Sequence, residues 1–212
     1  MFKKIISIPK TIYFNFYYLP FKEAIKLPFR VSYDVKIGKM GRRGCVKIGN
    51  LDKHICIGLG ASYGMGNTTY WSVSDNAIVE FMGDATFGKG TQIVVDGQLK
   101  CGANFYCNAN CIINAGKSII FGDDNLIGWN VTIIDGDGHD VIHNGKTGDR
   151  YEEIKLGNHV WIAAQASILK GTVLQDGCVV AFGGLASKSY QQENLLIGGT
   201  NKIIGENIVW NK

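Results

Sequence analysis

Residues 81–115 read FMGDATFGKGTQIVVDGQLKCGANFYCNANCIINA, and a period of six runs through them. Apolar residues stand at Phe81, Phe87, Ile93, Leu99, Phe105 and Cys111. Each is followed four places later by a small residue: Ala85, Thr91, Gly97, Ala103, Ala109 and Ala115. Six suits neither a 3.6-residue helix nor one long alternating strand. It suits a chain that runs briefly extended, turns a corner and repeats, each rung burying its apolar side on the next. The stretch reads as an all-β solenoid.

The period returns further on, as Leu156, Ile162, Ile168, Leu174 and Val180 with Val160, Ala166, Thr172, Cys178 and Gly184. Between the two blocks the phase slips by four residues after Ala115, resumes at Phe121, Ile127 and Ile133, and then stops. Residues 135–153 (DGDGHDVIHNGKTGDRYEE) are polar, glycine-rich and aperiodic, so they leave the coil as a protruding loop. A loop ejected in mid-repeat is a place to look for function. Upstream, Ile-Gly pairs at Ile37, Ile48 and Ile57 indicate irregular early coils with a loop near Tyr63–Tyr70. Regular repeats end near Leu185, and Lys202–Trp210 reads as a strand that closes the last coil. The division is therefore a basic, aromatic arm or cap (1–34), a repeat domain (35–205) carrying the loop 135–153, and a terminal strand or tail (206–212).

Within the arm, Lys10–Leu19 and Phe21–Leu27 read as two short amphipathic helices. They can cap the open first coil, which otherwise exposes its strand edges, and they can lie at a membrane surface. The two roles are compatible. Residues 1–47 hold 11 of the 22 Lys and Arg but only two acids, Glu23 and Asp34, while the whole chain carries +4. A basic front on an acidic body indicates an anionic surface or polymer nearby, here a membrane or glycan-assembly contact and no nucleic acid. The six cysteines have no zinc-finger spacing, and Cys111 and Cys178 occupy repeat positions where a small hydrophobe packs. Reduced thiols and a cytoplasmic protein, at most at the inner face of a membrane, are expected. The apolar run Ile5–Ile8 is interrupted by Ser7 and ended by Pro9, which argues against a signal peptide.

The hexads, the DGDGH of the loop, the segment KLGNHVWIAAQASILKGTVLQDGCVVAFGGLASKS and the later LLIGGTNKII together resemble the hexapeptide-repeat acyltransferases. Within that family the chain is most similar to bacterial sugar and capsular polysaccharide O-acetyltransferases of the galactoside and maltose acetyltransferase type. The resemblance implies a left-handed parallel β-helix, a homotrimer with active sites in clefts between subunits, acetyl-CoA as donor with no metal required, and a saccharide or polysaccharide acceptor.

A sugar hydroxyl is a poor nucleophile at neutral pH, and attack on a thioester requires loss of its proton. Histidine titrates near neutrality and can take that proton. His139, in the ejected loop and matching the family motif, is the expected base. Asp135, Asp137, Asp140 or a backbone carbonyl would fix its tautomer, with Asp137 favoured and Asp135 also placed near the acceptor. His143 is the decoy, His159 sits in a hexad at a corner, and His54 has no context. The family resemblance places Asn108 on the acceptor hydroxyl and Trp161 beside the acetyl and pantetheine arm. It also implies Ala164, Phe182, Gly183 and Ser187 along the pantetheine groove, with Lys188 and Lys202 at the phosphates. The chain departs from the family at Gly199-Thr200-Asn201-Lys202, which lacks the usual proline, and at Phe182, where a small residue is usual. Three other readings use the same scaffold: a noncatalytic glycan-binding or scaffolding solenoid, a zinc enzyme like the γ-class carbonic anhydrases, and transfer to an amine.

Overall fold

The computed structural model describes residues 5–60 and 67–211. Strands recur in the order A, B, C around a three-sided coil, and each face is a parallel ladder. Face A runs from Phe29–Val31 through Phe105–Cys107, Leu126–Ile127, Trp161–Ile162 and Val179–Val180 to Leu196–Gly198. Face B runs from Lys36–Ile37 through Gln92–Val95, Ile112–Ala115, Thr132–Ile134 and Ser167–Leu169 to Leu185–Ala186. Face C runs from Val46–Ile48 to Val173–Leu174. The Ile-Gly pairs at Ile37, Ile48 and Ile57 end the first strands of faces B and C and the second of face A. The first half of the loop expected near Tyr63–Tyr70 lies outside the described residues.

The register corrects the simple hexad picture. Ala85 pairs with Phe105, a coil of 20 residues, whereas Trp161 pairs with Val179, a coil of 18. The difference lies on face B. Before the loop that face turns three residues inward per coil, as at Thr91, Ile93 and Val95; after it only two, as at Ala166 and Ile168. One extra pleat is two residues. It moves a six-residue series back by one inward position per coil, until the series runs into a corner after Cys111 and restarts at Phe121.

Two corners carry a left-handed residue in nearly every described coil. Asn110, Asn130, Gln165 and Gly183 form one such column between faces A and B; Asn104, Asp124, His159 and Gly177 form the other, between C and A. Asn and Gly enter this conformation most cheaply. Along the axis, Phe29, Phe81, Phe87, Phe105 and Phe121 stack in turn, at 4.7–6.1 Å between successive ring centroids. Five of the six cysteines are buried and all are free; burial pushes the thiols of Cys101 and Cys178 upward.

The helix Ile8–Tyr18 caps the first coil, followed by a short helix Phe21–Ala24. Its fit is specific. The buried Asn15 donates Nδ2 to the Phe29 carbonyl (2.9 Å) and accepts the Phe29 N–H on Oδ1 (3.0 Å). Thr11 Oγ1 accepts the Val31 N–H (3.0 Å), and Lys10 Nζ donates to the carbonyls of Tyr33 and Val35. The open edge of face A thus finds side-chain partners for its backbone. Phe14 extends the aromatic column, 6.2 Å from Phe29 and 5.9 Å from Trp71. At the other end Lys202–Gly205 pairs antiparallel with Leu196–Gly198, so the closing strand is shorter than the expected Lys202–Trp210. Trp210 instead stacks on His159 at 3.9 Å and donates Nε1 to its carbonyl. His159 is therefore a corner residue that ties down the tail.

Candidate functional site at the ejected loop and the A–B corner

Asp135 is where the chain leaves the coil. It follows Ile134, which pairs with Asn114, and so occupies the inward position held by Ala115 and Val95 in the preceding coils. It is 1% exposed. Its carboxylate accepts the N–H groups of Gly116 (2.7 Å), Lys117 (2.7 Å) and Ser118 (2.6 Å). A buried carboxylate so supplied is satisfied, and anchors the loop to the corner of the coil above. Its oxygens are thus engaged by backbone, which corrects the expectation that they meet the acceptor.

An antiparallel neck follows. Glu152 N–H donates to the Asp135 carbonyl (3.0 Å) and Asp137 N–H to the Arg150 carbonyl (3.1 Å), with Gly136 bridged to Tyr151. The Tyr151 ring lies against Gly116 and Gly136; a Cβ at either would fall within 2.3 Å of it. Beyond the neck, Ile142–His143 and Lys146–Thr147 form a hairpin closed by Asn144-Gly145, both left-handed.

Two of the loop's carboxylates are ion-paired, one with the next coil and one within the loop. Asp137 Oδ2 lies 2.6 Å from Lys170 Nζ, and Lys170 also donates to the Asp149 carbonyl, bracing both arms of the neck. The hydrogen bond and charge of Asp137 raise the Lys170 pKa. Arg150 meets Asp140 at 2.9 Å. His139 is exposed and makes no hydrogen bond among the described residues. Asp137, expected to orient that imidazole, is held by Lys170 instead; Asp140 and Asp135 are engaged as well. Lys170 and Tyr151 were not singled out from sequence, since a lone lysine after SIL and a tyrosine in a polar loop carry no local signal. Beside the neck is a hollow of about 230 Å³ lined by Asp96, Asn114, Asp137, Gly138 and Tyr151.

Most of the other expected site residues gather elsewhere. Asn108 follows the face A strand Phe105–Cys107 and donates Nδ2 to the Ile127 carbonyl (3.0 Å). Ala164 sits two coils on at the same A–B corner, with its carbonyl accepting the Gly183 N–H. Phe182, 67% exposed, and Gly183 (φ +65°) come next. Lys202 is exposed at the turn where Gly198 pairs with it. At about 4.8 Å per coil these residues draw a line on the order of 20 Å long down one corner. Ser187 is one strand away, its N–H and hydroxyl held by Asn201 at 2.8 Å. Asn201 was not assigned a role from sequence; the missing proline of that turn leaves an amide there. Lys188 Nζ lies 5.2 Å from the Tyr190 ring centroid. Trp161 stands on face A beside Trp210, at 5.8 Å.

The loop leaves face B at one end and the Asn108 line lies at the other. Six residues of mostly extended chain separate Asn108 from Asn114, about 15–20 Å. Within one chain His139 and Asn108 thus belong to opposite corners.

No family model matches the chain. It is 32% identical over 137 residues to a galactoside O-acetyltransferase of Escherichia coli (strain K12), covering 64% of this chain and 63% of that enzyme. It is 26% identical over 130 residues to a polysialic acid O-acetyltransferase of Escherichia coli O1:K1 / APEC, covering 60% of this chain and 41% of that one. The crystal structure of the polySia-specific acetyltransferase NeuO superimposes with a TM-score of 0.66 at 20% identity, covering 86% of this chain and 74% of that chain. The chain is thus similar to these O-acetyltransferases over a little under two thirds of its length. Its fold is the left-handed parallel β-helix. It matches less than two thirds of the length of either curated relative.

Proposed function

We propose that the protein transfers an acetyl group from acetyl-CoA to a hydroxyl of a sugar, in a surface polysaccharide or its precursor, as a homotrimer with sites between copies. One observation carries this reading. Four of the six residues assigned to the donor, Ala164, Phe182, Gly183 and Lys202, follow the A–B corner, and the loop that presents a free imidazole leaves from the other end of face B. The similarity to enzymes named for galactoside and polysialic acid O-acetylation supports the acceptor class.

The A–B corner fits an extended, phosphate-bearing ligand. Ala164 leaves room beside the strand, Gly183 offers backbone without a side chain, and the exposed Lys202 places a cation at the far end. Bound there, acetyl-CoA supplies an acyl group already activated as a thioester. His139 takes the proton of the sugar hydroxyl as its oxygen bonds to the acyl carbon, then returns that proton to the sulfur as the C–S bond breaks. Because Asp137 and Asp140 are paired with Lys170 and Arg150, the second imidazole nitrogen relies on a backbone carbonyl or a group from the adjoining copy. Asn108 can both donate to and accept from a sugar hydroxyl.

The test is release of free CoA thiol from acetyl-CoA with galactosides and sialic acid oligomers as acceptors. His139→Ala is expected to lower turnover by roughly 10²–10⁴-fold while acetyl-CoA binding persists. His143→Ala should leave the rate unchanged. An unaltered rate for His139→Ala removes the base; absence of any acetyl-CoA binding by calorimetry removes the reaction.

A further inference from the structure

The cap helix has a second face that none of the described residues covers. Phe14, Asn15 and Tyr18 point into the solenoid. On the opposite side Ile5, Ile8, Ile12 and Phe16 are exposed, and Phe21 and Ile25 of the following segment continue the patch. The Phe16 and Phe21 rings pack edge to face at 5.8 Å, joining the two segments into one surface. Between Ile5 and Leu19 the only charged residue is Lys10, and its ammonium is drawn inward to the carbonyls of Tyr33 and Val35. A helix apolar on both sides is expected where both sides are buried.

The charge around the patch identifies what buries it. Lys36, Lys39, Arg42, Arg43 and Lys47 of the first coil are all exposed, and residues 1–47 carry 11 basic residues against two acidic ones. A second copy docking end to end would bring two such cationic rims together, which opposes self-association. An anionic bilayer meets both features: the apolar side chains enter the interface and the rim meets the headgroups. The helix Ile8–Tyr18 has 11 residues, about 16 Å at 1.5 Å per residue, against a hydrocarbon core of about 30 Å. No helix among the described residues is long and apolar enough to cross a membrane. The helix therefore lies in the plane.

We infer that the outer face of the N-terminal cap is a docking surface for an anionic lipid bilayer, which it meets through Ile12, Phe16, Phe21 and Ile25, with the basic rim of the first coil against the headgroups. The solenoid then stands on the membrane by its first coil. This inference is independent of the proposed reaction.

The experiment is flotation of the full-length protein with vesicles of phosphatidylcholine alone and of phosphatidylcholine with phosphatidylglycerol, at low and high salt. The expected result is partitioning to the anionic vesicles, weakened by salt, with at least about a tenfold loss in Ile12→Glu/Phe16→Glu and in Arg42→Glu/Arg43→Glu. Phe21→Glu/Ile25→Glu provides a second apolar variant; Phe21 is 71% exposed, and unchanged circular dichroism melting confirms that each variant folds. Equal binding to neutral and anionic vesicles, binding that survives the apolar variants, or no binding to either vesicle overturns the inference. So does a concentration-dependent association of the protein with itself that Ile12→Glu/Phe16→Glu abolishes, because a second copy would then occupy the face.

Discussion

Asp135 and Lys170 determine whether the loop has a shape at all. An aspartate in an inward position that otherwise holds Val95 and Ala115 is tolerated only because three backbone N–H groups converge on it. Removing the carboxylate strands those donors at a buried corner. Asp135→Ala is expected to cost about 2–4 kcal/mol, read as a lower urea midpoint. An unchanged midpoint would mean that water replaces the carboxylate. Lys170 acts differently, since its ion pair with Asp137 is only half-buried and contributes little to global stability. Its work is local, joining Asp137 to the Asp149 carbonyl. Lys170→Ala should raise amide exchange across residues 137–150 and lower turnover, with acetyl-CoA affinity retained. The sign of the alkaline pH effect follows from the raised lysine pKa: the bracing is present at neutral pH and is lost as pH rises through that value. Loop exchange that is identical in the variant and the parent would show that the neck holds without the brace.

At the scale of elements, the cap helix shows how a solenoid end is closed by side chains. Asn15 supplies one donor and one acceptor to a single residue of the edge strand, Phe29. Asn15→Leu keeps the branched shape and loses both bonds, leaving a buried N–H and carbonyl unsatisfied. The expected loss is about 2–4 kcal/mol in chemical denaturation, and a midpoint equal to that of the parent would reassign the cap to hydrophobic packing alone. The cap's helices were legible in the sequence because proline and aromatic spacing are local signals; what they bond was not. The same division holds for the coil. The inward positions Phe81 to Cys111 could be read directly, since burial imposes them residue by residue. The 20-residue turn could not, because two extra residues on face B preserve the local alternation and change only which coil partner each residue meets. The loop's bounds were legible from the loss of period. The pairing of Asp137 with Lys170 was hidden by 33 positions of sequence and by an ion pair that only the folded neck creates. His159 falls between these cases: its hexad position foretold a corner, while its stacking on Trp210 depended on where the tail returns.

At the scale of the whole molecule, the proposed site requires more than one copy, because the loop and the A–B corner bound opposite ends of face B. That geometry separates a shared site from one assembled within a chain. His139→Ala disables the loop and leaves the corner intact. Ala164→Trp fills the corner and leaves the loop intact. Each variant alone should be inactive, whatever the arrangement. Mixed at equal amounts and refolded together, random assembly pairs an intact loop with an intact corner at about one quarter of the interfaces, so about that fraction of the parent activity should return. If both groups served within one chain, every chain in the mixture would carry a broken half and no activity would appear at any ratio. Thiol release measured across a titration of the two variants decides between the two. A shared site gives a curve with its maximum at equal proportions, while a single-chain site gives a flat baseline.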